Sequence, residues 1–159
     1  MSVQISISQS VSAPMKDAFR AAVDIDARDL IRKYGPLPAI VDVGGHDAPW
    51  SAIGQIRTHK LSDNSSVREE LVGFTPSQTF AYRLSDFTGV FAPLVNEARA
   101  EWHFTTTGET TTQIDWTYIF QPNGPVAEPL LWFVVKIFWP GYLKSALARV
   151  QERAEAIAA

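Results

Sequence analysis

Arg57 and Glu69 are the residues whose types and spacing are best suited to act together. They flank a turn signal at Asp63-Asn64, in segments 51–61 and 67–74, whose compositions read as β-strands. A three-residue loop sets Arg57 opposite Glu69, and a two-residue loop sets it opposite Glu70, so either register makes a cross-strand ion pair. On a solvent face such a pair contributes well under about 1 kcal/mol. Inside an apolar cavity it would be a desolvated anchor, with the guanidinium holding a ligand carboxylate or enolate through two parallel hydrogen bonds. The residue pattern leaves both faces open.

Aromatic side chains with polar atoms form a second group. In segment 95–107, Ala98, Ala100, Trp102 and Phe104 alternate with Glu97, Arg99, Glu101 and His103, which makes one face covered and the other wet. Segment 110–121 repeats the pattern through Ile114, Trp116, Tyr118 and Phe120, and segment 78–86 through Phe80, Tyr82 and Leu84. Buried indole N–H and phenol O–H groups require partners. Either these rings fill the space beneath a covering helix, or they line a concave, mostly apolar cavity of the kind that takes small molecules. In the second case Tyr82, Trp102, Trp116, Trp132 and Trp139 supply contact area, and Arg57, Glu69 and Tyr118 supply polarity.

Other chemistries find little support. With no cysteine, disulfides and a thiolate nucleophile are excluded. His46, His59 and His103 lie in three separate segments, with His103 on a wet face, so no metal site is expected and no cofactor is implied. His46, in Gly44-Gly45-His46-Asp47, reads as a turn residue or as one at a cavity mouth. Asp115 and Glu101 fall on the outer face by strand parity. No nucleophile elbow, Walker loop or dinucleotide fingerprint occurs. The 14 basic residues are outnumbered by 17 acidic ones, for a net charge of -3, and form no cluster, so nucleic acid is not an expected partner. Residues 1–7 lack the basic and apolar regions of a secretory signal, and a cytoplasmic location is expected.

These residues must be positioned by elements of both classes. Val3, Ile5 and Ile7 alternate with polar residues as in a half-buried strand, and Ser12 and Pro14 then mark the start of a helix through Ala18, Phe19, Ala22 and Val23. A second short helix spans about 26–33 and stops at Gly35-Pro36. Six strand candidates joined by short turns follow, which predicts an antiparallel meander. From 125 to 157, Trp132, Val135, Trp139, Leu143, Ala146, Val150, Ala154 and Ile157 recur in steps of three or four, as in one long helix bent or interrupted at Pro140. Leu131, Phe133, Val134, Ile137 and Phe138 lie off its gripping face. They read as packing against the two short helices, as a dimer interface, or as a portal making transient membrane contact with Lys136 at its edge.

The order strand, two short helices, meander, long helix resembles the START-like (Bet v 1-like, SRPBCC) superfamily. Several stretches are similar to its bacterial polyketide cyclase/dehydrase-like branch: Ile7 to Pro14 with Phe19 behind it, Gly54 to Arg57 running to Leu61-Ser62-Asp63, Val67 to Leu71, and Thr112 to Tyr118. The resemblance covers residues 1–159 as a single domain. It implies an α+β helix-grip fold in which a curved antiparallel sheet of about seven strands wraps a long C-terminal helix. It also implies a cavity under that helix, open at one end through loops and short helices. Members share no universal catalytic motif, so no residue inherits a catalytic role, and fold does not fix function.

Three functions follow as expectations. The first is binding of a hydrophobic small molecule, such as a lipid, isoprenoid or polyketide-like aromatic, by a monomer or homodimer. The second is a polyketide cyclase/dehydratase-type enzyme, with Arg57 stabilising an enolate and Tyr118 or Glu69 moving protons. The third is an interaction module with a filled core.

Overall fold

Apolar–polar alternation is most sustained in segments 95–107 and 110–121, and these become the two longest strands of the protein. The computed structural model describes residues 1–159. Its elements in chain order are β1 (Val3–Val11), α1 (Met15–Asp24), α2 (Ala27–Leu30), β2 (Ile40–Gly45), β3 (Ile56–Leu61), β4 (Ser66–Thr75), β5 (Thr79–Ser85), β6 (Val95–Gly108), β7 (Thr111–Pro122), α3 (Glu128–Ile137) and α4 (Trp139–Ala158). A single 3-10 turn, Gly89–Phe91, links β5 to β6. The seven strands form one antiparallel sheet in the order β1-β7-β6-β5-β4-β3-β2. Strands β2 to β7 are a meander, and β1 returns to pair with β7 from Val3↔Phe120 to Val11↔Thr112. This is the α+β helix-grip arrangement that the element order implied.

One face of the sheet is buried as the alternation requires. Ala98, Ala100, Trp102 and Phe104 of β6, and Ile114, Trp116, Tyr118 and Phe120 of β7, belong to a single core of 39 residues. Helix α4 packs on α1 and β1, burying Leu143, Ala146, Leu147, Val150 and Ala154 completely. Each such Leu contributes about 1.5–3 kcal/mol on burial. Ala18, Ala21 and Ala22 of α1 lie in the same core, where small side chains let two helices approach closely. The accessible surface is 7866 Å², close to the roughly 7,900 Å² that area scaling gives for a folded chain of this mass.

The structure corrects three local expectations and bears out the interruption of the last helix at Pro140. Pro14, not Ser12, is the N-cap of α1, and the Ser12 backbone N–H instead donates to Glu155 of α4. Strand β3 begins only at Ile56, because Gly54 adopts φ +97° and turns the chain; the Gln55 carboxamide closes that turn by accepting from the N–H groups of Ser51 and Ala52. The C-terminal helix is two helices bent by 42° at Phe138, where Pro140 can neither donate to the preceding turn nor avoid its carbonyl. Finally, α3 packs on β1 and α4 rather than on the short helices. Its Leu131 and Val135 are fully buried, while Leu130, Trp132, Phe133 and Ile137 are about half exposed. No single helix is long and apolar enough to cross a membrane.

Leu143→Ala should lower the unfolding free energy by about 2–5 kcal/mol, since it leaves a void where α4 meets the core. Ile157→Ala, at a site 38% exposed, should change it by no more than about 0.5 kcal/mol. Urea unfolding followed by far-ultraviolet circular dichroism measures both.

Candidate functional site

The β3–β4 turn decides which face Arg57 and Glu69 share. Leu61 N–H donates to the Ser65 carbonyl, which closes a three-residue loop over Ser62, Asp63 and Asn64. Asn64 takes φ +68°, the left-handed position that such a loop needs at its end. Asp63 braces it by accepting from the Ser65 backbone N–H. Arg57 therefore lies opposite Glu69, and His59 opposite Val67. All four side chains point inward, into a cavity between the sheet and the N-terminal part of α4.

This cavity offers ≈ 110 Å³ to the centre of a water-sized sphere, and 20 of its 27 lining residues are hydrophobic. Its floor is the β3–β5 half of the sheet, with only Trp102 from β6 and Tyr118 and Phe120 from β7. Its roof is built from Trp139 and Tyr142 of α4, Leu30 and Ile31 at the end of α2, Phe87 and Phe91 beside the 3-10 turn, and Trp50. Edge-on aromatic contacts fix the roof: Trp139 meets Phe91, Tyr118 and Phe120 at ring-centre distances of 5.9, 5.7 and 5.1 Å. Tyr142 is tied down by its hydroxyl, which donates to the Pro38 carbonyl.

Arg57 holds the Trp50 side of the roof. Its guanidinium carbon sits 3.7 Å above the Trp50 ring centre, a desolvated cation–π contact. Its Nε donates to the His46 carbonyl at 3.1 Å and its Nη2 to the Ala48 carbonyl at 2.6 Å. The His46 ring stacks nearly parallel to Trp50, with ring centres 5.8 Å apart. Burial pulls the Arg57 pKa down and the Glu69 carboxylate partly offsets this. Arg57 also borders an outer groove beside Asp26 and Asp47, so with Trp50 it forms the wall between cavity and exterior. The guanidinium is largely committed to the loop, which leaves Nη1, 4.0 Å from Glu69 Oε1, as its only inward-facing group.

Glu69 is closer to His59, whose Nε2 lies 3.2 Å from Glu69 Oε1. The approach is too bent for a good hydrogen bond, and neither ring nitrogen of His59 has another partner although the residue is only 1% exposed. Across the cavity, Trp102 Nε1 donates to Tyr82 Oη at 3.4 Å, and the Tyr82 and Tyr118 hydroxyls are 3.4 Å apart. Burial raises both phenol pKa values well above the ordinary range, and the nearby Glu69 carboxylate adds to the rise. Both phenols thus remain neutral hydrogen-bond donors at physiological pH.

Of the residues singled out from sequence, Arg57, Glu69, Tyr82, Trp102, Tyr118 and Trp139 line the cavity. Trp116 does not. It is fully buried beneath the helices and stacks on Trp102 at 4.1 Å, because β7 lies under the packed half of the sheet. Trp132 does not either, being 53% exposed on α3. A continuous helix would align it with Trp139 seven residues later, but the bend at Phe138 turns its face away. His59, which the sequence offers only as a possible metal ligand, lines the cavity as well. The available signal was parity, since residues 57 and 59 of one strand share a face. His103 and Glu101 sit on the outer face, their charged groups 4.0 Å apart.

Buried phenols give this site a titration signature. A raised folded-state pKa favours the neutral form, so the stability it contributes is complete below the ordinary phenol value near 10 and is lost as pH rises through the folded values. Tyr82, Tyr118 and Tyr142, the last also raised by burial, should add no tyrosinate absorbance to the native protein at about pH 11. Their absorbance should appear together with the loss of native circular dichroism. The single variants Tyr82→Phe and Tyr118→Phe should leave the native absorbance at that pH unchanged.

Comparison with known proteins agrees with this architecture. No curated protein matches the sequence. Among solved structures, a norcoclaurine synthase point mutant from Thalictrum flavum superposes with a TM-score of 0.73 at 12% identity, covering 100% of this chain and 98% of that one. The Zhui aromatase/cyclase from a Streptomyces species superposes with a TM-score of 0.70 at 18% identity, covering 98% and 94%. The protein Ara h 8.0201 does so with a TM-score of 0.62 at 13% identity, covering 98% and 99%. At these identities the likeness is one of fold. The family model described as polyketide cyclase / dehydrase and lipid transport matches residues 2–155, and the chain belongs to that family, in the Bet v 1-like superfamily.

Proposed function

We propose that this protein encloses a neutral, hydrophobic small molecule, aromatic or polyketide-like, with its polar end directed at His59, Tyr82 and Tyr118. The observation that carries this reading is the lining itself: an aromatic and aliphatic wall with a few convergent polar groups, which is how small-molecule sites are built. The interior is not filled, which argues against a purely structural core. Neutrality follows from the charges. Arg57 has two of its three nitrogens engaged by the loop carbonyls of His46 and Ala48, and Glu69 stands beside the third. A ligand carboxylate entering here would lose its water, meet the Glu69 charge, and gain no free bidentate partner. Arg57 is thus a poorer carboxylate anchor than its residue type suggests.

A second reading, that the same cavity is catalytic, is favoured by one observation: a buried imidazole next to a buried carboxylate, facing the ligand space. A structural role alone gives no reason to keep such a pair in an apolar wall, where it is costly unless well satisfied.

Methyl β-naphthyl ketone and β-naphthoate are nearly isosteric and differ in charge. Calorimetric titration near neutral pH should show the ketone binding at least about tenfold more tightly, a difference of roughly 1.4 kcal/mol. Equal affinities, or a preference for the carboxylate, would contradict the neutral-ligand reading. Phe91→Asp, which places a charge in the roof, should weaken ketone binding by a similar factor or more.

A further inference from the structure

Helix α3 breaks the usual pattern of a surface helix, which carries charged and polar residues on the side away from the core. Its inner face is Leu131 and Val135, both fully buried. On the opposite side Leu130, Phe133 and Ile137 fall within roughly 60° of one another at 3.6 residues per turn, and each is half exposed. Trp132 flanks this stripe, and Val126, 92% exposed, extends it past the start of the helix. Both charged residues of α3 are turned towards the N-terminal segment. Glu128 lies 3.7 Å from the Met1 amino group, and Lys136 Nζ donates to the Gln4 carbonyl of β1. The outward face is therefore apolar and uncharged. No residue of α3 lines the cavity, so a ligand bound there does not account for it.

We infer that this face is covered by the same face of a second copy of the chain, the two α3 helices lying antiparallel across a two-fold axis near Phe133. The area matches what such a contact needs. Fully exposed, a large side chain presents about 150–250 Å², so Val126, Leu130, Trp132, Phe133 and Ile137 at their exposures leave roughly 550 Å² of apolar surface in water. A standard interface takes about 800 Å² from each partner, of which about 65% is apolar in homodimers, or roughly 520 Å². One copy of the face supplies that amount. The spacing is also self-complementary, as a two-fold contact demands. Leu130 stands three residues before Phe133 and Ile137 four after it, so an antiparallel pair sets Leu130 of one copy against Ile137 of the other. The two Phe133 rings then meet near the axis. No charged group of α3 has to lose its water in this contact. An anionic bilayer, by contrast, is met by cations on the rim of an interfacial helix, and the single cation of α3 is held by β1.

Sedimentation velocity on the full chain tests the inference. At about 10 μM the protein should sediment at twice its 17.6 kDa chain mass, with a Kd of about 1 μM or tighter, as interfaces of this size give. Phe133→Glu and Phe133→Lys each bring like charges together at the axis, and each should be monomeric at that concentration, a loss of at least about a hundredfold in affinity. Unchanged far-ultraviolet circular dichroism shows that both are folded. An equimolar mixture of the two variants should form the dimer again, because opposite charges then meet across the axis. Should either lose the native spectrum, Leu130→Glu mixed with Ile137→Lys repeats the charge exchange at the pair that faces across the axis. Wild-type protein that stays monomeric to about 100 μM, a dimer that survives both substitutions, or a mixture that stays monomeric would each overturn the inference. Monomeric wild-type protein that co-sediments with vesicles of phosphatidylcholine and phosphatidylglycerol, and ceases to do so with Phe133→Glu, would overturn it too and give the face to a bilayer.

Discussion

A sheet of seven strands is wider than the helices available to cover it. At about 4.8 Å between neighbours the sheet spans roughly 29 Å, whereas two helices side by side, each about 10 Å across, cover roughly 20 Å. Helices α1 and α4 lie against each other, with α4 on β1 at one end of the sheet, so the β3–β5 end is left to be roofed by something thinner. What roofs it is a collection of single side chains from loops and helix ends, among them Trp50, Phe87, Phe91 and Trp139. Side chains spanning a gap do not fill it to the density of helix-on-sheet packing. The cavity is therefore a consequence of matching a wide sheet to a narrow helical layer, and the residues beneath the gap are the ones exposed to a ligand.

That geometry also explains how charged and polar groups are tolerated in the interior. Arg57 is buried at the cavity edge because its guanidinium replaces water with two backbone carbonyls and an indole face. In doing so it ties the 46–55 loop to the sheet and closes one wall. The cost of burying Glu69 is met differently, by partial contact with both Arg57 and His59. The phenols of Tyr82 and Tyr118 satisfy one another and the Trp102 indole only in part. Of the buried side-chain nitrogens without a partner, those of His59 and Trp139 belong to residues that line the space where a small molecule fits, and that of Trp116 lies beneath the helices. Buried polar groups without partners are costly, and a bound ligand is the simplest source of the missing partners.

Much of the architecture was legible from residue order. Alternation in β6 and β7 fixed which rings face inward, and short turns dictated the meander. The site was legible only in pieces. The Arg57–Glu69 register depended on a three-residue turn whose left-handed residue is Asn64, not the glycine that would have announced it. Even with that register known, sequence could not tell that Arg57 would turn its donors to the His46 and Ala48 carbonyls and leave Glu69 to His59. Trp132 and Trp139 share a helical face by spacing, and only the bend at Phe138 separates them. Trp116 obeys the same parity as Tyr118, but β7 passes under the packed half of the sheet at one position and under the cavity two residues later. Parity reports which face a residue is on, not how far along that face the covering layer extends.

The proposed ligand is a neutral apolar molecule under α4 with its polar end at the His59–Tyr82 cluster. The most direct test is an isotope-filtered NOE experiment on labelled protein with methyl β-naphthyl ketone bound. A ketone seated there should give contacts from its ring protons to Trp139, Phe91 and Phe80, and from its methyl group to Tyr82 and the His59 ring. Contacts confined to Leu130, Trp132 and Phe133 on the exposed face of α3 would place the ligand outside the cavity and contradict it.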